Sequence, residues 1–333
     1  MKQIPIGIDI GASEVKFAVC ERDFIRRLVT EPVPEDLVKG GKIVSTAAMA
    51  SFLKETAAKY KITGRRCAII IPDSLSFTRK LIMPAMTTEQ LSINLPYEFR
   101  DYLGQDKNKY VYDYTVIGMS RDEDGKPLQM ELMASAAEKS TINEYKQMLL
   151  QAGFKLVLAA PEKFAYSALI RNYERKYPEN RGRENCIIDL GHSAIRVHIY
   201  MGAVYEATRV IDIGGAAIDA AIADAMNVDE HMARVYKLSN FNNCLDMEVC
   251  KAVYRTIAVE IMRAINFYDY NNPGSKLEMA YLCGGGTRNR QFLKQIKEYV
   301  KLELRLIENI MPAAPDLNEL AALCPAAVGI TQQ

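Results

Sequence analysis

Apolar and polar positions along the chain change period several times, and each change marks an element. In GIDIGASEVK (7–16) a strand-like run, Ile6 to Ile10, passes Asp9, stops at Gly11, and resumes at Val15. IVSTAAMASFLKETAAKY (43–60) has helical apolar spacing, and RRCAIIIP (65–72) is a β-branched run ended by Pro72, a buried strand. Strands, a helix and a buried strand together predict an α/β unit.

The texture changes near Pro84. A helix is predicted from Thr88, carrying Leu91, Leu95 and Phe99, with Pro96 placed to kink or divide it. YVYDYTVIG (110–118) and MELMASAA (130–137) read as strands around the polar turn RDEDGKP. A further helix is predicted from Thr141, whose spacing to Glu144 is that of a capping box, to Gly153. Residues 85–160 are therefore expected to form an inserted α+β subdomain. PEKFAYSALIRNYERKY (161–177) returns to helical spacing and runs into the charged linker PENRGREN.

A second α/β unit then opens with IIDLGHSAIR (187–196), which repeats the first stretch at a shift of 180 residues. Asp9 meets Asp189, Gly11 meets Gly191, Ser13 meets Ser193, and Lys16 meets Arg196. Each copy predicts a β-hairpin: a strand ending in an acid, a tight turn, and a returning strand, FAVC (17–20) or VHIY (197–200). Amides collected in such a turn bind phosphate oxygens, and paired aspartates suit a hydrated Mg²⁺. Taken singly, either copy is an ordinary hairpin with an Asx-type turn. Two copies, followed by a third glycine element, point to a polyphosphate clamp. That element is AYLCGGGTRNRQFLKQIKEYV (280–300): a strand, then Gly284, Gly285 and Gly286, then a helix with Phe292, Ile296 and Val300 on one face. Three glycines let backbone approach a flat ring or a phosphate near a helix N-terminus.

Composition narrows the function classes. At 333 residues, with 49% hydrophobic and 25% charged, the chain can bury the cores of about two domains. Lys plus Arg (42) nearly balance Asp plus Glu (41), so the net charge of +1 gives no argument for nucleic acid. The seven cysteines (20, 67, 186, 244, 250, 283 and 324) include no C-x-x-C pair and read as small core residues in a reducing cytoplasm. No signal-peptide-like or membrane-spanning run is present, so a cytoplasmic location is expected. The histidines at 192, 198 and 231 lack metal-ligand spacing. His192 lies in the second turn, where it could donate to a phosphate, and His198 reads as packing. Tyr110, Tyr112 and Tyr114 alternate on one strand face, either packed on the subdomain's helices or bordering a partner groove.

The order of two D-h-G hairpins and a glycine loop resembles the actin, sugar kinase and heat-shock chaperone superfamily, over nearly the whole chain. Within it the chain resembles the PilM family of actin-like type IV pilus assembly proteins, relatives of the division protein FtsA. GIDIGASEVKFAV, KLIMPAMTTEQL, MELMASAAEKSTINEYKQMLLQAGF, PEKFAYSALIRN, RVIDIGGAAIDAAIADAMNV and EIMRAINFYDY ahead of LCGGG carry the likeness. The ending, PDLNELAALCPAAVGITQQ, has no basic amphipathic face, which favours PilM over FtsA.

The resemblance implies an actin-like α/β fold of two RNase H-like domains. The first is expected over 1–84 and 161–183 and the second over 184–333, with a smaller subdomain at about 212–275. It implies ATP or ADP with Mg²⁺: Asp9 and Asp189 holding the metal through water, with Gly11, Ala12, Ser13, Lys16, Gly191, His192 and Ser193 on the phosphates. Gly284, Gly285 and Gly286 would flank the adenosine, Glu260 and Arg263 would contact adenine and ribose, and Gly214 and Gly215 would lie near phosphate or ribose. Two departures reduce the hydroxyls near the phosphates: Ile195 stands where Thr is frequent, and Ala216 and Ala217 follow Gly215. Glu162 is the candidate for orienting water, although its place after Pro161 equally suits a first-turn acid. Slow or absent hydrolysis is expected. The implied partner is the N-terminal cytoplasmic segment of a PilN-like membrane protein, which would recruit the chain to the cytoplasmic face of the membrane. A small-molecule kinase and an FtsA-like self-associating filament are the competing readings.

Overall fold

The computed structural model describes residues 4–332 apart from 22–23, 35, 104–105 and 315–317. The chain opens with β1 (Ile6–Ile10), β2 (Glu14–Glu21) and β3 (Phe24–Pro32), then a small hairpin of β4 (Val38–Lys39) and β5 (Lys42–Ile43). Ser45 starts α1 (Thr46–Lys59) by accepting from the Ala48 amide at 3.3 Å, and β6 (Arg66–Ile71) follows. β7 (Ser76–Pro84), α2 (Thr88–Glu98), α3 (Arg100–Leu103), β8 (Tyr110–Arg121) and β9 (Pro127–Glu138) come next, then α4 (Lys139–Gln151), β10 (Lys155–Pro161) and α5 (Glu162–Lys176).

The second half repeats the opening with β11 (Glu184–Leu190), β12 (Ile195–Met201) and β13 (Val204–Ile211). It continues through α6 (Gly215–Met226), α7 (Glu230–Ser239), α8 (Glu248–Asn271), β14 (Met279–Cys283), α9 (Arg290–Tyr299) and β15 (Glu303–Leu306), and ends in α10 (Asn318–Ala321) and α11 (Pro325–Gly329).

Two sheets share one plan: β10-β6-β1-β2-β3 in the first lobe and β13-β12-β11-β14-β15 in the second. In each, three antiparallel strands continue into parallel ones, with β6 beside β1 and β14 beside β11. Burial on both faces explains the near-continuous apolar runs of β6 and β11. Ile69 and Ile71 face an outer core with Met49 and Leu53 of α1, while Ala68 and Ile70 face the other lobe.

That inter-lobe layer holds Tyr166 and Leu169 of α5, Ile187 and Tyr200 of the second sheet, and Leu323, Ala327, Val328 and Ile330 near the C-terminus. Each such aliphatic side chain contributes roughly 1.5–3 kcal/mol when fully buried. Glycines set the approach: a Cβ on Gly7 of β1 would stand 1.7 Å from the Ala327 carbonyl oxygen, and one on Gly329 2.2 Å from that of Ala165. The C-terminal segment, expected with the second domain over 184–333, therefore packs back onto the first sheet and α5.

The inserted sheet, β7-β9-β8, spans 76–138 rather than starting at 85. Pro84 is the last residue of β7, so the texture change there marks a strand end and not a domain boundary. Residues 139–160 differ too, because α4 places Tyr145, Met148 and Leu149 in the core of the first lobe and β10 pairs parallel with β6. The expected capping box at Thr141 and Glu144 does not form. β9 passes straight into α4 at Glu138, which leaves Thr141 inside the first turn. The reciprocal box lies instead at Thr87 and Gln90, at the start of α2. α2 runs on to Glu98 despite Pro96 and then breaks before α3. Tyr112 and Tyr114 pack against the core formed by Leu91, Leu95 and Phe99, which is the packing reading of that face.

Residues 212–275 carry α6, α7 and α8, whose Ile218, Ile222, Tyr254, Ile257 and Ile261 share one core with the second sheet. All seven cysteines are buried and unpaired. Among the described residues, no helix is long and apolar enough to cross a membrane.

Candidate nucleotide cleft

The two hairpins meet where the lobes face each other. In the first, Asp9, next to last in β1, lies opposite Lys16 of β2, whose Nζ donates to Asp9 Oδ2 at 2.9 Å. In the second, Asp189 lies opposite Arg196 of β12, whose guanidinium stands 3.8 Å from Asp189 Oδ2. The Gly11 amide closes the first turn on the Glu14 carbonyl. Among the described residues, the amides of Ala12, Ser13, His192 and Ser193 have no backbone partner, as an anion cradle requires.

The glycine segment covers the second acid. β14 runs beside β11 with Cys283 in register with Asp189, and Gly284 follows at φ +86. A Cβ on Gly284 would stand 2.3 Å from Asp189 Oδ1, so only glycine fits. Gly286 packs on Leu190, while Gly285 has open space where a side chain would be.

Gly214 and Gly215, at the start of α6, lock onto the second turn. Gly215 N–H donates to the Gly191 carbonyl at 3.0 Å, and Ala216 N–H to that of His192 at 2.8 Å. Lys237 of α7 donates to the Gly215 carbonyl and pairs with buried Asp219 at 2.6 Å, which also faces His192 Nδ1 at 3.7 Å. Burial, then the Lys237 charge, lower the His192 pKa against the pull of Asp219, so the ring is neutral at pH 7. Glu260 and Arg263 pair with each other on the surface of α8. Their helix meets the element that follows the glycine segment through Tyr254, whose hydroxyl accepts from Asn289, the cap of α9.

Glu162, the first residue of α5, sits in the middle of the charged cluster. Its Oε1 is 3.3 Å from Arg196 Nε and 3.4 Å from His198 Nε2, and His198 Nδ1 is 2.7 Å from the Thr208 hydroxyl. Burial alone would raise the Glu162 pKa, but contact with His198 and the charges of Arg196 and Lys16 bring it down to about 2. Burial and then the Glu162 charge push Asp189 up to about 6, against Arg196, Lys16 and His198. Burial also works against the Lys16 ammonium, yet Asp9 and Asp189 hold it well above its ordinary range.

Sequence reading missed the part played by Arg196 and His198. Their signal was the alternation in IRVHIYM, which puts Arg196, His198 and Tyr200 on the strand face that meets the other lobe. Two basic residues on a buried face need an acid, and Glu162 supplies it. His198, expected as packing, is fully buried against Tyr166 and also contacts that acid.

The aspartates do not fit a directly bound divalent ion. Each already faces a cation across its own hairpin, and no cluster of three or more His, Cys, Asp or Glu side chains among the described residues is arranged for a metal. Besides the contacts of Glu162, Arg288 reaches Glu14 across the cleft at 2.9 Å, and Arg234 of α7 the Ser13 carbonyl at 2.8 Å.

Comparison with solved structures gives the fold a context. A structure described as a PilM-PilN type IV pilus biogenesis complex aligns over 98% of this chain and 97% of that one, at 21% identity and TM-score 0.79. The ethanolamine utilization protein EutJ of Carboxydothermus hydrogenoformans aligns over 98% and 89%, at 16% identity and TM-score 0.60. MreB 5 of Spiroplasma citri, solved with AMPPNP, aligns over 99% and 95%, at 13% identity and TM-score 0.53. At such identities the likeness is one of fold, and that fold is the actin-like ATPase fold expected from the paired hairpins. No curated protein sequence matches the chain. The family model described as type IV pilus assembly protein PilM matches residues 7–314, and the chain belongs to that family.

Proposed function

We propose that the cleft binds ATP or ADP through its polyphosphate, and that the chain acts as a nucleotide-binding scaffold in type IV pilus assembly. The observation that carries this reading is the convergence of two amide-lined turns, Lys16, Arg196 and the Gly284–Gly286 segment on one inter-lobe space. The actin-like neighbour solved with AMPPNP supports a nucleotide as the ligand class. Ala12, Ser13, His192 and Ser193 would meet phosphate oxygens, and Gly285 would lie nearest the nucleoside.

Hydrolysis would be slow or absent. A carboxylate with a pKa of about 2, held by Arg196 and His198, is a weak base and is not free to turn toward water. The same commitment of Glu162 argues against a small-molecule kinase, which needs a poised base.

The partner, by the family resemblance and the complex named above, would be the N-terminal cytoplasmic segment of a PilN-like membrane protein. It would bring the chain to the cytoplasmic face of the membrane. An extended segment of that kind binds by strand pairing and side-chain pockets, in the groove between the inserted sheet and the first lobe.

Calorimetric titration of ATP, followed by phosphate release from the same samples, tests the nucleotide reading. Saturable binding with little release is expected, and the absence of any heat of binding refutes it. Titration with the peptide tests the partner separately, and a flat isotherm removes that part alone.

A further inference from the structure

Resting on the nucleotide reading above, we propose that Arg234 of α7 is a phosphate-binding residue, its guanidinium exchanging the Ser13 carbonyl for the polyphosphate oxygens of ATP or ADP. Two anchors place the helix that carries it. Asp229 caps α7 by accepting from the Met232 amide at 2.7 Å, and Ala233 is fully buried in the core of the second lobe. Arg234 and Lys237, three positions apart, therefore share one side of the helix. Lys237 supports the second turn, donating to the Gly215 carbonyl at 3.0 Å and pairing with Asp219. Arg234 Nη2 instead crosses the cleft to the Ser13 carbonyl at 2.8 Å. Its charge is felt at the second turn as well, where it joins burial and Lys237 in lowering the His192 pKa. The guanidinium thus stands between the two turns.

What sets Arg234 apart is the lack of an acid. Lys16 has Asp9, Arg196 has Asp189 and Glu162, Lys237 has Asp219, and Arg288 has Glu14. Arg234 is half-buried, and among the described residues its hydrogen-bond partner is a neutral carbonyl. A charge drawn partly out of water is best compensated by an anion.

The present bond is also easy to give up. The Ser13 carbonyl accepts from the Val33 amide at 3.0 Å, so it keeps a partner when Arg234 leaves. A phosphate chain laid across the turns meets a planar fork of N–H groups that matches its oxygens bidentately. Arg234 then gains the anion its place lacks, and the ligand ties the lobes together where the carbonyl bond did.

Calorimetric titration of ATP, and separately of inorganic tripolyphosphate, into the full chain in Mg²⁺ buffer tests the proposal. The native chain is expected to bind both. Arg234→Gln is expected to weaken both by about tenfold or more and by similar factors, and Arg234→Lys to recover part of the loss. Arg234→Ala, which suits a helix equally, takes the place of Arg234→Gln should that variant fail to fold. Unchanged ATP affinity in the substituted chain overturns the proposal, because Arg234 then serves only to tie the lobes. Weaker ATP binding with unchanged tripolyphosphate binding also overturns it, since the contact is then with the nucleoside. So does a native chain that binds ATP but not tripolyphosphate. These outcomes leave the nucleotide reading standing, whereas a native chain that binds neither ligand removes that reading and the proposal with it.

Discussion

Arg288 of the second lobe bonds Glu14 of the first hairpin at 2.9 Å, directly across the cleft. Both groups are partly exposed, so the pair is worth about 0.5–1 kcal/mol after solvent screening. Glu14→Gln is expected to leave the unfolding midpoint almost unchanged while speeding release of a fluorescent ATP analogue by about two- to fivefold. Stopped-flow displacement measures this, and an unchanged release rate would show that the bridge does not gate the cleft.

Asp189 makes stability depend on pH with an unusual sign. Its folded value of about 6 lies above the ordinary ~3.9, so the folded chain takes up a proton within that window and stability falls as pH rises through it. The penalty is fully present above about pH 6 and absent below about pH 4. Glu162 acts oppositely: with a folded value of about 2, it stabilises above about pH 4.3 and loses that contribution as pH falls toward 2. Asp189→Asn is therefore expected to gain on the order of 1 kcal/mol in denaturant melts near pH 7.5 and almost nothing near pH 3.5. A loss at the higher pH would mean that the contact with Arg196 outweighs the cost of burying the carboxylate.

The three glycines separate support from contact. Gly284→Ala forces a side chain into a left-handed conformation and onto Asp189, so a loss of roughly 1–3 kcal/mol and a displaced acid are expected. Gly285→Ala meets open space and is expected to preserve the melting curve while weakening nucleotide binding. Equal nucleotide affinity in Gly285→Ala and the native chain would place the ligand away from this segment.

Gly7→Ala would set a Cβ 1.7 Å from the Ala327 carbonyl oxygen and 2.8 Å from its carbon, backbone atoms that cannot rotate away, with the Thr331 methyl at 2.9 Å. A loss above about 3 kcal/mol is expected by chemical denaturation, because this overpacking separates β1 from the C-terminal segment. A native-like midpoint would show that the two can part without cost.

The repeat at 180 residues made both hairpins legible, because the spacing of acid, glycine and returning strand is local. The glycine segment was legible for the same reason. Glu162 was picked out, but its true company was not: Arg196 lies 34 positions later and His198 36, and only sheet register brings them to one point. Thr141 misled because the helix begins at Lys139, which puts the cap position at Glu138 and Thr141 inside the first turn. Pro84 misled because proline at a strand end looks the same in sequence as proline at a domain edge. The apolar C-terminal run was visible as such, yet nothing local says that its cover lies on β1 and α5.

That C-terminal run also sets the order in which the molecule matures. β1 and α5 are made early, but Ala327, Val328 and Ile330, which cover them, are made only after the whole of the second sheet. Domains often fold in the order of their synthesis. Here the first lobe must wait, half-covered, until the second has been made, so the two lobes close together rather than in turn.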